Sequence, residues 1–162
     1  MMEKGQNEIV EHTIVVFLSI ILVSSIFLLM SQIYSTNLKF GVEKELERIG
    51  RNLLVVISEI YTTSEKLDYL PKENESLKLV EIRLKLPSNV ANRNYEISFS
   101  SDQKKMILKT LQAPEIVVEI ELPNFGMEFK GRSRNGLNST LSFYRMNLNG
   151  EIKNSVFFEG EG

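Results

Sequence analysis

Cysteine and tryptophan are absent from the 162-residue sequence, and histidine occurs once, as His12. Without cysteine, the chain can form no disulfide, thiolate metal site or cysteine nucleophile. With its single histidine at the edge of an apolar run, the sequence argues against hydrolytic triads and most zinc sites, which leaves carboxylates as the remaining candidates for chemistry. We therefore expect no enzyme, no metal and no cofactor.

Charged residues are absent from residues 13–38, a run of 26 positions without Asp, Glu, Lys or Arg. Leu, Ile, Val and Phe fill 13 of the first 18 of these positions, and at roughly −0.3 to −0.6 kcal/mol each they favour membrane insertion by about −4 to −8 kcal/mol. A cleaved secretory signal has a shorter apolar stretch and a basic start, and a buried core helix of this length does not suit so small a protein. The run predicts a single transmembrane helix over residues 6–38.

The rest of the chain carries no excess of either charge. Residues 39–162 contain 18 basic and 18 acidic side chains. A neutral domain lacks the basic surface that dominates nucleic-acid affinity. We therefore expect no nucleic-acid partner.

A helical repeat of apolar residues follows the uncharged run. The repeat has steps of four and three and consists of Val42, Leu46, Ile49, Leu53, Val56 and Ile60. The spacing predicts an amphipathic helix over residues 39–70, continuous with the first helix and able to flex at Gly41 or Gly50. Glu47 and Arg51 form an i,i+4 pair on its polar side. The apolar stripe packs either on the protein's own C-terminal domain or on neighbouring subunits.

Beyond a polar break at residues 72–76 the apolar period changes from 3.6 to 2. About seven short alternating segments between turn signals predict an antiparallel, β-sandwich-like domain over residues 71–162. The strongest turn signal is Asn149-Gly150, typical of a two-residue hairpin. The alternation changes phase after Leu79 and after Phe143, as at a β-bulge or in a strand covered on both faces. The fold class is therefore α+β, a long helix followed by this β-domain.

The first residues resemble the class III signal peptide of archaeal type IV pilins. A short leader (residues 1–5) ends in Lys4-Gly5, Gln6 follows, and acidic residues precede a long apolar helix. Leu86-Pro87 followed by a strand that begins at Tyr95 is also similar to archaeal pilin-like proteins. The family's pattern has glutamate at the fifth mature position, where this chain has Val10.

The resemblance implies cleavage between Gly5 and Gln6 by a prepilin peptidase, and assembly with like or related pilin subunits through the N-terminal helix. Glu8 and Glu11 are the candidates to pair with a neighbour's freed amine and set the register of assembly, at the desolvation cost of a buried ion pair. The resemblance also implies a single-pass cell-membrane protein with its C-terminal domain outside the cell, or a subunit of an extracellular filament. The Lys and Arg count around the span mildly favours the opposite orientation.

Other functions remain open at this stage. The chain is either a pilin-like filament subunit, a non-polymerising membrane-anchored accessory protein of an archaellum or pilus machine (a stator or surface-layer-binding component), or a single-span ligand-binding protein. The vacant fifth position favours the accessory protein. Two sequons, at Asn74 and Asn138, offer N-glycosylation if the domain is extracellular.

Overall fold

The computed structural model describes residues 2–67, 69–100, 102, 104–136 and 138–160, with the backbone alone described for residues 2–10. One helix precedes seven strands, with the bounds α1 Met2–Glu65, β1 Ser76–Arg83, β2 Tyr95–Phe99, β3 Lys105–Thr110, β4 Val117–Glu121, β5 Met127–Arg134, β6 Thr140–Leu148 and β7 Glu151–Glu159. The chain comprises two compact units, Met1–Phe40 and Gly41–Gly162. The predicted α+β class, with a long helix followed by seven strands, is confirmed.

The seven strands form one sheet with the order β1-β6-β7-β5-β2-β3-β4. All neighbouring pairs are antiparallel except β5 and β7, which are parallel. The second layer over this sheet is a helix and not a second sheet. A face of a sheet that carries apolar side chains must be covered by another layer. A helix with one apolar side can form that layer as well as a second sheet can.

Residues of α1 within the second unit form the core together with one face of the sheet. The helix contributes Val42, Leu46, Ile49, Leu53, Ile57 and Ile60 to one cluster with the inward side chains of all seven strands or their flanks. This confirms that the apolar stripe packs on the protein's own β-domain, with Ile57 fully buried and Val56 at its margin. Gly50 lets the helix approach β3 and β4 closely, because a side chain there would collide with Leu108 and Ile120.

The two predicted phase changes have different structural causes. In β1 the register with β6 shifts between Lys78 and Val80, which is a β-bulge. In β6 the register with β7 is regular through Phe143 and Tyr144, and both sides of the strand are covered there. A change in alternation indicates that a strand is not simply buried on one face and exposed on the other. Only the register with the neighbouring strand distinguishes a β-bulge from a strand covered on both faces.

Asparagine–glycine pairs close two of the turns. Asn149 and Gly150, between β6 and β7, have φ angles of 54° and 87°, as the hairpin signal predicts. Asn135 and Gly136, after β5, have φ angles of 54° and 57°. At Gly136 a side chain would also collide with the Tyr95 hydroxyl and the Pro87 carbonyl, so glycine is required there both for conformation and for space.

Candidate functional site

The uncharged part of α1 presents its apolar side chains on every side of the helix. From Ile14 to Tyr34 the large apolar residues are between 47% and 73% exposed. The helix is long and apolar enough to cross a membrane, and none of its most apolar 18-residue stretch is buried in the protein. Exposure of this extent requires an apolar environment from outside the unit, whether lipid or other helices.

Two serine hydroxyls in this segment are satisfied by the helix itself. Ser19 Oγ donates to the Val15 carbonyl at 2.8 Å, and Ser25 Oγ donates to the Ile21 carbonyl at 2.8 Å. An unsatisfied polar group in hydrocarbon costs several kcal/mol, so internal bonding removes the main penalty of serine in a span. The serines are therefore compatible with a lipid-facing or helix-facing surface.

The predicted processing and register residues lie at the start of α1. Only the backbone of Gly5, Gln6 and Glu8 is described, whereas Glu11 and His12 are described in full and are exposed. The assignment of the cleavage step to Gly5 and Gln6, and of the register role to Glu8 and Glu11, stays a prediction.

Both sequon asparagines are exposed residues of turns. Asn74 has a φ of 60°, and its backbone amide donates to the Asn147 carbonyl at 2.8 Å, which anchors the turn while leaving the side chain outside. Asn138 has a φ of 48°, and it precedes Ser139, which is buried and bonded to Ser133. Both side chains are placed where a glycan could be attached, and attachment itself stays a prediction.

Arg145 of β6 fastens the end of α1 to the sheet. Its guanidinium donates to the carbonyls of Ser64 at 3.0 Å, Leu67 at 2.7 Å and Tyr69 at 3.0 Å. The side chain is only 8% exposed, and it also approaches Asn154 Oδ1 at 3.4 Å. The last carbonyls of a helix lack partners within the helix, and a cation is favourable near them. Arg145 supplies that cation, since the last turn of α1 contains no basic residue.

Sequence reasoning missed Arg145 because its partners lie nearly 80 positions earlier in the chain. Within β6 it lies on the same side of the strand as the buried residues Leu141 and Phe143, so an alternating pattern predicts an apolar residue there. A basic residue on the inward side of a strand is the one signal that could have identified it.

Side chains of opposite charge lie beside each other on neighbouring strands of the outer face of the sheet, the face away from α1. Glu96 of β2 is 7% exposed and accepts a bond from Arg134 Nε at 2.8 Å, with Lys109 Nζ at 3.9 Å on its other side. These three residues are direct cross-strand partners. Opposite charges in such positions favour the pairing of the strands.

Tyr95 lies next to Glu96 on the inward face and is completely buried. Its hydroxyl donates to the Pro87 carbonyl at 2.6 Å. Burial, with a smaller contribution from the negative charge of Glu45, raises the pKa of Tyr95 to about 12. This tyrosine therefore stays neutral and works as a packing and hydrogen-bonding group.

A cavity of about 510 Å³ lies at the end of the sheet where β3 begins and β4 ends. Its lining includes the apolar residues Leu122, Phe125, Met127 and Phe129 together with charged residues such as Lys105 and Glu121. Its volume falls in the range of small-molecule sites. In the described part of the chain no group of three or more His, Asp or Glu residues is arranged to hold a metal ion.

Comparison with known proteins identifies no relative: no family model, no curated protein and no solved structure matches this chain.

Proposed function

We propose that this protein is a pilin-like structural subunit of an archaeal type IV filament, anchored in the cell membrane by α1 before assembly. The observation that carries the proposal is the exposed apolar segment of α1, whose large apolar side chains from Ile14 to Tyr34 are 47–73% exposed. A helix of this kind suits both stages, because lipid and a bundle of apolar helices are equivalent surroundings for a helix whose backbone is internally bonded.

The β-domain is placed outside the cell in this proposal. The resemblance of residues 1–6 to a class III signal peptide supports that orientation, and the exposure of Asn74 and Asn138 is what glycosylation of an extracellular domain requires. A membrane-embedded prepilin peptidase is then the first partner, acting between Gly5 and Gln6.

The decisive measurement is mass spectrometry of the N-terminus of the native full-length protein from membranes and from sheared cell-surface material. We expect the mature chain to begin at Gln6, and we expect it in the sheared fraction. Gly5→Val should leave the uncleaved chain in the membrane, whereas the matched change Asn7→Ala should be processed normally. A stably accumulated native chain that still begins at Met1 would refute the proposal.

A second candidate is a membrane-anchored accessory protein that does not polymerise. The observation that favours it is Val10 at the fifth mature position, where the pilin pattern has glutamate. A mature N-terminus at Gln6 combined with absence from sheared filaments would identify this alternative. If instead the protein is in filaments, Glu8→Gln and Glu11→Gln test the register role, and loss of filament incorporation in one variant assigns it to that carboxylate.

A further inference from the structure

The cavity at the end of the sheet lies within the second unit, between the start of β3 and the end of β4. Its volume of about 510 Å³ is more than three times that of a cavity of about 150 Å³ that holds one benzene molecule. The lining also contains exposed residues, Asp102 and Lys104 among them, so the cavity opens to solvent. A molecule of two or three rings can therefore enter the cavity and fit in it.

The apolar wall of this cavity is held in place by contacts within the core. Phe129 is buried, and its ring centroid lies 5.1 Å from that of Phe99. Phe125 is half-buried, with its ring centroid 5.1 Å from that of Tyr61 and 6.3 Å from that of Phe129. Rings that are already packed lose little freedom when a ligand binds, which favours affinity. The flexible side chain of Met127 can adjust to the shape of the ligand.

The backbone around the cavity is also fixed by hydrogen bonds. The Leu122 amide donates to the Lys104 carbonyl at 2.8 Å, which extends the β3–β4 ladder by one pair. In the loop that follows, the Gly126 amide donates to Asn124 Oδ1 at 3.2 Å. The cavity therefore has its shape without a ligand, as small-molecule sites usually do.

The charged residues described in the lining are two of each sign, Lys104, Lys105, Asp102 and Glu121. Lys105 Nζ pairs with Glu119 at 2.6 Å, and Asp102 Oδ1 accepts bonds from Ser100 Oγ at 2.5 Å and from the Lys104 amide at 3.2 Å. The two side chains that make no ion pair with another described residue, those of Lys104 and Glu121, have opposite charges. A ligand with a net charge would be attracted by one and repelled by the other, so the mouth favours a ligand without net charge.

We propose that this cavity binds an uncharged organic molecule of two or three rings, with Phe125, Met127 and Phe129 against its apolar surface. Binding removes the apolar surfaces of the ligand and of the wall from water, and contacts between rings add to the affinity. The binding role goes beyond the proposed function and does not depend on it, because the cavity lies in the second unit and the proposed assembly uses the exposed apolar segment in the first.

Indole is a suitable probe because the protein contains no tryptophan. Its fluorescence, excited beyond the absorption of tyrosine, is followed during titration with the full-length protein in lipid nanodiscs, with empty nanodiscs as the blank. We expect a saturable shift of the emission to shorter wavelength as indole leaves water. Indole-3-acetate, an anion, and tryptamine, a cation, should each bind at least about fivefold more weakly, because each must give up the hydration of its charge. A signal equal to that of empty nanodiscs would overturn the proposal, and tighter binding of either ion would overturn the assignment of an uncharged ligand.

Two phenylalanines provide a matched pair of variants. Phe125 and Phe157 are both half-buried, and each lies beside a tyrosine ring, at 5.1 Å from Tyr61 and 5.2 Å from Tyr144. Phe157 lies on the outer face of the sheet and is not part of the cavity lining. Phe125→Ala should weaken indole binding about tenfold, because part of the apolar wall is lost, whereas Phe157→Ala should leave it unchanged. Equal losses in the two variants would refute the placement of the ligand.

A measurement on the unmodified sequence locates the probe independently of how the variants fold. Met127 belongs to the cavity lining, whereas Met146 of β6 does not. With isotope-labelled methionine methyl groups, saturating indole should shift the Met127 resonance through the ring current of the probe and leave the Met146 resonance unchanged. A shift at Met127 supports the proposal, and its absence at saturation, or a shift at Met146 alone, overturns it.

Discussion

α1 is apolar on all sides in one unit of the molecule and on one side in the other. Between residues 13 and 38 the apolar side chains are exposed in every direction, with Phe27 73% exposed. Between Val42 and Ile60 they follow a single stripe that is buried against the sheet. The backbone is hydrogen-bonded within the helix in both cases, so the difference is only in what covers the side chains. The second unit supplies its own cover, and the first requires it from elsewhere.

The two units also differ in where the hydrogen-bond partners of their polar groups come from. In the first unit Ser19 and Ser25 donate to carbonyls one turn earlier, so they need nothing from outside the helix. In the second unit Arg145 on β6 donates to the Ser64 carbonyl in the last turn of α1 and to the Leu67 carbonyl just beyond the helix. These two serines of the first unit thus need no partner outside the helix, although its apolar side chains do, whereas the end of α1 in the second unit depends on a side chain of the sheet.

The largest expected effect comes from placing charge in the exposed apolar segment. We expect Leu22→Arg/Ile26→Arg to cost about 6–8 kcal/mol of insertion free energy, at about 2.5–3.5 kcal/mol per arginine plus the lost apolar contribution. That cost matches the total favourable free energy of the segment, so the protein should leave the membrane fraction on alkaline extraction. Val55→Arg, at a 57% exposed position of α1 in the second unit, is the control and should stay in the membrane. Retention of the double variant would show that this segment is not the anchor.

The next largest effect is truncation of a buried leucine in the same helix. Leu53 is 1% exposed, and Leu53→Ala should lower the free energy of unfolding by about 2–5 kcal/mol, because it removes apolar contacts and leaves a cavity. Leu28 is 63% exposed, and Leu28→Ala should leave the β-domain unchanged. The measurement is denaturant unfolding of the full-length protein in micelles, followed by the β-sheet circular dichroism signal. Equal losses in the two variants would contradict the division between the units.

Arg145→Met tests the attachment of the helix end to the sheet. We expect a loss of about 3 kcal/mol, the upper end of the roughly 1.5–3 kcal/mol that one hydrogen bond to a charged group contributes, because Leu67 is only half-buried and Tyr69 is exposed, so that water can replace the donor at those two carbonyls. Hydrogen exchange should accelerate most at the backbone amides near the end of α1. Arg132→Met, at an exposed position of β5, should change stability by less than about 0.5 kcal/mol. Unaltered exchange near Ser64 in the Arg145 variant would show that this contact does not hold the helix end.

Tyr95 gives the second unit a specific sensitivity to alkaline pH. Its pKa is about 12 in the folded protein against 10 for an ordinary tyrosine. The folded state therefore binds the proton more tightly, and the stabilisation is complete below pH 10 and is lost as the pH rises towards 12. The loss should reach between about 2 and 3 kcal/mol. Ultraviolet titration of the full-length protein should show one tyrosine that ionises only near pH 12, and this step should be missing in Tyr95→Phe.

Local patterns were sufficient for the elements and for the inner side of the helix. The uncharged run, the stripe from Val42 to Ile60 and the Asn149-Gly150 turn each depend on residues a few positions apart, and the structure places all three as those patterns indicate. The stripe alone predicts packing of the helix on the β-domain as one of two alternatives. Propensity and periodicity act within one element, and in this protein the local preferences agree with the final fold.

Long-range pairings could not be predicted in this way. The parallel pair β5 and β7, the capping of α1 by Arg145 and the close approach at Gly50 each join segments that are far apart in the sequence. No spacing rule within a segment specifies which distant segment lies beside it. The phase change after Leu79 illustrates the limit, since it indicated an irregular strand but not whether a bulge or a second covering layer was the cause.

The smallest expected effect is on the polar side of the buried part of α1. Arg51 donates to Glu47 at 2.6 Å, and bonds from Arg51 and then Lys44 hold the pKa of the Glu47 carboxyl below its ordinary value. A lowered pKa contributes stability at neutral pH that is lost as the pH falls below the carboxyl's ordinary value. Because the pair is exposed, Arg51→Gln should lower the free energy of unfolding only slightly at low salt, and by less at about 1 M salt, where the screening length is about 3 Å. A loss as large as that of Leu53→Ala would mean that the charged side of the helix, and not its buried stripe, holds the second unit together.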